Sequence, residues 1–160
     1  MTAHPAPSDA LRVEIDSLEQ MNAWGRHLGE GLRVGDVVGL VGLLGAGKTT
    51  LTQAIAVGAG VIPGRHVASP TFALVNEHPG RVRLVHADLY RVRSAAELAE
   101  LGLDEAFDRA AAVIEWIDRF PEAAPADHLR VTISVGPTGA RSLLVEAQGP
   151  CSYRLLAHVR

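Results

Sequence analysis

Val37-Val38-Gly39-Leu40-Val41-Gly42-Leu43-Leu44-Gly45-Ala46-Gly47-Lys48-Thr49-Thr50 is the stretch that decides the fold. Val37 to Val41 is a short unbroken apolar run, as a strand buried on both faces requires. Gly42 to Thr49 satisfies G-x-x-x-x-G-K-[ST] in full. The glycines permit backbone angles that turn consecutive N–H groups inward, toward anionic oxygens. Lys48 offers a point charge to β- and γ-phosphates, and Thr49 offers a hydroxyl to Mg²⁺. A helix is predicted from Lys48 to about Val57, stopped by Gly58 and Gly60. A glycine-rich turn with an incidental lysine would not need both flanks, so the stretch reads as a strand, a phosphate-binding loop and a helix.

Upstream, Leu11 to Ile15 alternates apolar and polar, the period of a half-buried strand. Ser17-Leu18-Glu19-Gln20 follows the capping-box pattern and opens a helix expected to run to about Arg33, before a turn at Gly35-Asp36. Downstream, strands are predicted at Thr71 to Asn76 and Val82 to Ala87, joined across His78-Pro79-Gly80. Ser94 opens a helix ending near Gly102, and a second short helix covers Leu103 to Ala110. Ala111 to Ile114 is another buried strand. Pro121 and Pro125 mark a loop, and Leu129 to Val135 with Ser142 to Ala147 forms a late hairpin. The last ten residues fit strand or helix equally. Strands interleaved with helices imply an α/β fold of three layers with a mostly parallel central sheet and a late antiparallel hairpin. Residues 1–10 read as a loose tail and 11–160 as a single domain.

A phosphate-binding loop needs an acid at the end of a neighbouring buried strand to hold or order Mg²⁺. Asp88 and Glu115 are the candidates, since both follow apolar runs and would emerge at the carboxyl edge of a parallel sheet. Either could also be a solvated strand-end carboxylate. Ser69-Pro70-Thr71 carries hydroxyls able to order a water or sense a γ-phosphate, and equally reads as an ordinary Ser-Pro turn.

Composition narrows the rest. The 15 basic and 18 acidic residues give a net charge of −3, unlike a protein that coats nucleic acid. Cys151 is the single cysteine, which excludes an intramolecular disulfide and a cysteine-rich zinc site. The longest apolar stretch falls well short of the ~20 residues of a membrane helix. With no basic and apolar leader at the N-terminus, a cytoplasmic protein is expected. Fourteen of the basic residues are Arg, and the one Lys is Lys48. The Asn-Lys-x-Asp element that usually reads guanine is therefore impossible, and ATP is the expected nucleotide.

Together, Gly45 to Thr50, Ser69-Pro70-Thr71-Phe72-Ala73-Leu74-Val75-Asn76-Glu77, His86-Ala87-Asp88-Leu89-Tyr90-Arg91, Glu97-Leu98 with Leu101-Gly102, and Ile114-Glu115-Trp116 resemble the TsaE (YjeE) family. The order and spacing match from about Val13 to Val145. These are bacterial ATPases of tRNA threonylcarbamoyladenosine biosynthesis. The resemblance implies that Lys48 and the amides of Leu44, Gly45, Ala46 and Gly47 hold the phosphates, with Thr50 close by. Thr49 and Glu115 would bind Mg²⁺, Asp88 would act near the γ-phosphate, and Thr71 would belong to a switch-like loop. Ser17 and Leu18 would lie near the adenine, and Trp116 would flank the site. Leu43 stands where members usually have Asp. The family's late hairpin often has Arg directly after Gly, whereas here Arg141 sits one step further, after Gly139-Ala140, as a substitute.

The resemblance also implies a role. The chain would act on TsaD and TsaB homologues, meet tRNA only through that complex, and bind no membrane. Weak ATP hydrolysis alone is expected, with Arg91 or a partner completing the charge. Two other readings stand beside it: a small-molecule kinase, and a nucleotide-dependent interaction module without significant turnover. The kinase lacks support from any Arg-rich lid between Glu97 and Glu115.

Overall fold

Side-chain alternation decides which way each central strand faces. In β2 (Val37–Val41), Val38 and Leu40 enter one apolar core while Val37 enters another. In β5 (Ala111–Glu115), Ala111 and Val113 join the first, Ala112 and Ile114 the second. β4 (Leu84–Asp88) divides likewise between Leu84 and the pair Val85 and Ala87. A computed structural model describes residues 10–62 and 74–160 of the chain. Of the tail expected over residues 1–10, residues 1–9 lie outside them and Ala10 already belongs to the first strand; Ser69 to Ala73 lie outside them as well.

The other elements, in chain order around these, are β1 (Ala10–Ile15), α1 (Leu18–Glu30), α2 (Lys48–Gly58), β3 (Val75–His78), α3 (Ala95–Glu100), α4 (Leu103–Phe107), β6 (Leu129–Val135), β7 (Arg141–Ala147) and α5 (Pro150–His158). Seven strands form one sheet in the order β1-β7-β6-β2-β5-β4-β3. β6, β2, β5 and β4 run parallel in the centre. The margins are antiparallel, and more widely than the late hairpin alone: β7 pairs with β6, β1 closes onto β7, and β3 turns back onto β4. α1, α2 and α5 cover one face through Leu28, Leu51, Ile55 and Leu155. α4 and the 3-10 turn at Ile117–Arg119 cover the other through Leu103, Ala106 and Ile117.

α1 starts where its capping box predicts. Ser17 Oγ accepts the Gln20 N–H at 3.1 Å, and Gln20 Oε1 reaches back to the Asp16 N–H at 2.7 Å. It stops at Glu30, short of Arg33, whose N–H turns to the Asp36 carboxylate at 2.7 Å, and distant guanidinium groups satisfy the carbonyls around the helix end. Arg81 donates to the carbonyls of Gly29 and Leu32, and Arg154 donates to that of Gly31. α1 lies against α2 with backbone touching backbone. A Cβ on Gly29 would stand 2.1 Å from the Ile55 carbonyl oxygen, and one on Gly58 would stand 2.0 Å from that of Arg26.

Other boundaries shift for local reasons. β4 begins at Leu84 rather than Val82, because the Val82 N–H is tied to the Ala59 carbonyl beyond α2. β3 runs on through His78, into the expected turn. The loop marked by Pro121 and Pro125 contains the 3-10 turns Ile117–Arg119 and Pro121–Ala123. The ambiguous C-terminus is helix α5, capped from a distance. Asp127 accepts the N–H groups of Cys151 at 2.8 Å and Ser152 at 3.0 Å, and the Ser152 hydroxyl at 2.7 Å. Burial pushes the Asp127 carboxyl up, but these bonds outweigh it and hold the group below the usual aspartate range.

Asp127→Ala is therefore expected to lower stability by about 1 kcal/mol, a fall of a few degrees in Tm for a chain of this size. The contribution is complete above the unfolded-chain pKa of about 3.9 and disappears as pH falls through the lower folded value. Thermal melts should show the gap between wild type and variant at neutral pH and its closure in strong acid. An equal gap in strong acid would contradict the capping role.

Candidate functional site

The site forms where β2 gives way to α2. Gly45 has φ +80° and Gly47, the residue preceding α2, has φ +116°, both in the left-handed region that favours glycine. Gly47 brings no side chain to cap the helix, and the first turn of α2 carries no acid. The amides there and the positive end of the helix dipole face outward unneutralised, as an anion site requires.

Lys48 is only 5% exposed. Its ammonium donates to the carbonyls of Gly42 at 2.6 Å and Leu43 at 2.9 Å, and lies 4.1 Å from the centre of the Trp116 ring. Burial pushes the Lys48 pKa down, against the pull of the Glu115, Asp88 and Asp118 charges. The Leu43 carbonyl, not its side chain, makes this contact. The Leu43 side chain itself is 81% exposed.

Asp88 and Glu115 end neighbouring parallel strands and stand opposite one another in register. The Thr49 hydroxyl donates to Glu115 Oε1 at 3.1 Å, and the buried His86 ring engages Glu115 Oε2. Asp88 is half-buried and accepts the Tyr90 N–H at 3.0 Å. Burial raises its pKa, opposed by the Tyr90 bond and reinforced by the Glu115 charge. Among the described residues no group of three or more His, Cys, Asp or Glu could hold a metal alone. Thr49 and Glu115 instead offer two hard oxygen donors, which suits Mg²⁺, an ion that keeps waters and takes the rest of its ligands from phosphate.

Two cavities meet at the loop, and Gly47 and Thr50 line both. One, of ≈ 260 Å³, has Leu44, Gly45, Lys48, Thr49, Asp88 and Glu115 in its wall. The other, of ≈ 250 Å³, is walled by Ser17, Leu18, Met21 and Arg141. The structure thus brings together nearly every residue named from the sequence. Arg141 stands beside the loop, where its Nε donates to the Ala46 carbonyl at 3.1 Å. The Ala46 side chain points into the core, which leaves only its main chain to the loop. The Ser17 hydroxyl is occupied as the α1 cap. Arg91 is exposed and is not among the residues lining either cavity. Thr71 lies outside the described residues.

Sequence reasoning passed over two groups here. Tyr90 packs its ring 4.8 Å from that of Trp116. His86 grips the Glu115 carboxylate, and strand parity held the clue: residues two apart on β4 share a face, so His86 had to lie beside Asp88.

The chain matches the family model described as "Threonylcarbamoyl adenosine biosynthesis protein TsaE" over residues 15–143. It is 33% identical over 136 residues to the tRNA threonylcarbamoyladenosine biosynthesis protein TsaE of Treponema pallidum, covering 84% of this chain and 99% of that one. It is 41% identical over 124 residues to the protein of the same name from Streptomyces coelicolor, covering 74% and 82%. A crystal structure of Bacillus subtilis YdiB superposes with a TM-score of 0.80 at 29% identity, covering 94% of this chain and 93% of that one.

Trp116 is the only non-glycine residue at positive φ among those described, at φ 60° and ψ 38°. A side chain in this conformation costs about 1 kcal/mol that glycine avoids. Trp116→Gly should therefore unfold at higher urea than Trp116→Ala, the reverse of the usual order. Greater stability of the alanine variant would contradict this backbone conformation.

Proposed function

The chain belongs to the TsaE family, and on that premise we propose that it is a Mg²⁺-dependent ATPase acting on a complex of TsaD and TsaB homologues. Members of the family serve tRNA threonylcarbamoyladenosine biosynthesis, and this chain serves the same pathway. The observation that carries the ATPase reading is the meeting of Lys48, Thr49, Asp88 and Glu115 in one cavity at an uncapped helix N-terminus.

In this reading the loop amides and Lys48 take the phosphates of ATP. Lys48 exchanges the Gly42 and Leu43 carbonyls for phosphate oxygens, a trade that suits a buried cation. Ser17, Leu18, Met21 and Arg141 take the base side, where the Leu18 and Met21 side chains offer an apolar surface. Thr49 and Glu115 hold Mg²⁺, which when bound neutralises charge on the β- and γ-phosphates. Asp88 accepts a hydrogen bond from the attacking water and orients it. Its position at the end of β4, across from Glu115, sets it beside the metal-holding pair.

Water attack on phosphate needs positive charge that strengthens in the transition state. Lys48 is the one buried cation lining the phosphate cavity among the described residues. Slow turnover alone and completion of the site by the partner complex follow from that shortage. The net charge of −3 agrees with a protein that meets tRNA through others. Among the described residues no helix is long and apolar enough to cross a membrane.

Lys48→Ala and Glu115→Ala should each lower Mg·ATP turnover at least ~100-fold, with circular dichroism unchanged. Adding TsaD and TsaB homologues should raise the turnover of the wild type. Wild-type turnover in Glu115→Ala would remove the metal assignment, and partners that neither bind nor change the rate would remove the proposed assembly.

A further inference from the structure

His86 has no task in the chemistry so far, although it is fully buried at 0% exposure. It shares a face of β4 with Leu84 and Asp88, under α2. Its Nε2–H donates to Glu115 Oε2, while the Thr49 hydroxyl donates to Oε1 at 3.1 Å. Glu115 is 2% exposed. The carboxylate is thus gripped at both oxygens, one from the next strand and one from the phosphate-binding helix.

The other ring nitrogen, Nδ1, has no hydrogen-bond partner among the described residues. A carboxylate oxygen can only accept, so the hydrogen between the two groups sits on Nε2 and faces Glu115. A hydrogen bond of this kind adds only modest net stability, because bonds to water are given up to form it. Its effect is geometric: with Oε2 anchored, the carboxylate cannot rotate, and Oε1 stays beside the Thr49 hydroxyl.

We propose that His86 is a positioning residue for Mg²⁺ binding, holding Glu115 so that Oε1 and Thr49 Oγ1 are presented together to the ion. The inference rests on the reading of Glu115 as a metal-holding group. Partners one bond removed from a metal ligand typically carry 10–100-fold in metal affinity, which sets the expected size.

The test uses the full chain saturated with a non-hydrolysable ATP analogue and Mn²⁺ as the probe, its binding read by electron paramagnetic resonance. Nucleotide affinity is measured separately in EDTA. His86→Leu and His86→Asn should each raise the Mn²⁺ Kd about tenfold or more. His86→Gln, whose amide N–H reaches the position of Nε2, should recover most of the loss. Nucleotide affinity in EDTA should stay within about twofold in all three, since a metal-specific defect leaves the phosphate loop intact. Should His86→Leu fail to fold, the contrast between Gln and Asn decides alone. Wild-type Mn²⁺ affinity in a folded Asn or Leu variant would overturn the proposal. So would a parallel loss of nucleotide affinity in EDTA, which marks general damage. Glu115→Gln runs alongside. If it loses Mn²⁺ while the His86 variants do not, only this inference fails. If it keeps Mn²⁺, the metal reading of Glu115 fails and this inference with it.

Discussion

A positive charge kept almost wholly out of water is the constraint around which this molecule is organised. Lys48 sits at the first position of α2 with little access to solvent, so its ammonium must be satisfied by protein or by ligand. The carbonyls of Gly42 and Leu43, the face of Trp116 and the carboxylates of Asp88 and Glu115 supply what water would. They come from three segments, the loop after β2, the end of β4 and the end of β5 with the residue after it, and all three have to arrive at the same end of the sheet. The parallel centre makes that possible, because β2, β4 and β5 all deliver their C-terminal residues to one edge. Anions that displace the carbonyls therefore enter a place already built for opposite charge.

The acids show how little separates neighbouring roles. Asp88 and Glu115 face each other across adjacent strands, yet their surroundings differ. Glu115 is sealed between a hydroxyl and an imidazole, both donating to it. Asp88 is half-open to solvent and has a backbone N–H from Tyr90. The sealed carboxylate suits fixed coordination, and the open one suits a mobile water. Environment, more than residue type, sets the two carboxylates apart.

Much of this could be read directly from the chain. The capping boxes at Ser17 and Ser94, the glycine-rich turn before Lys48 and the two-residue alternation in β2 and β5 are all local signals, and local signals survive in sequence. What escaped was non-local. α5 looked ambiguous because its cap, Asp127, lies on the far side of a hairpin. The chain just past α1 is held by Arg81 and Arg154, which reach its carbonyls from far along the sequence. Trp116 gives no sign that it adopts a left-handed backbone, since that residue type seldom does. His86 and Glu115 are 29 positions apart, and only the register of β4 against β5 joins them. Assignment of roles beyond phosphate binding leaned on family resemblance at the Asp88 and Glu115 motifs. The hydroxyl segment at Ser69 to Thr71 falls outside the described residues.

The contact between α1 and α2 reaches further than the two residues that make it. The start of α1 borders the base-side cavity and the start of α2 borders the phosphate cavity. The helices are tied together toward their C-terminal ends, where Gly29 and Gly58 bring main chain onto main chain, while nearer the cavities Gly25 takes the side chains of Leu51 and Ala54. A side chain at Gly29 or Gly58 would drive into a neighbouring carbonyl and tilt one helix on the other, so these two glycines, in the last turns, set how the first turns are spaced around the cavities.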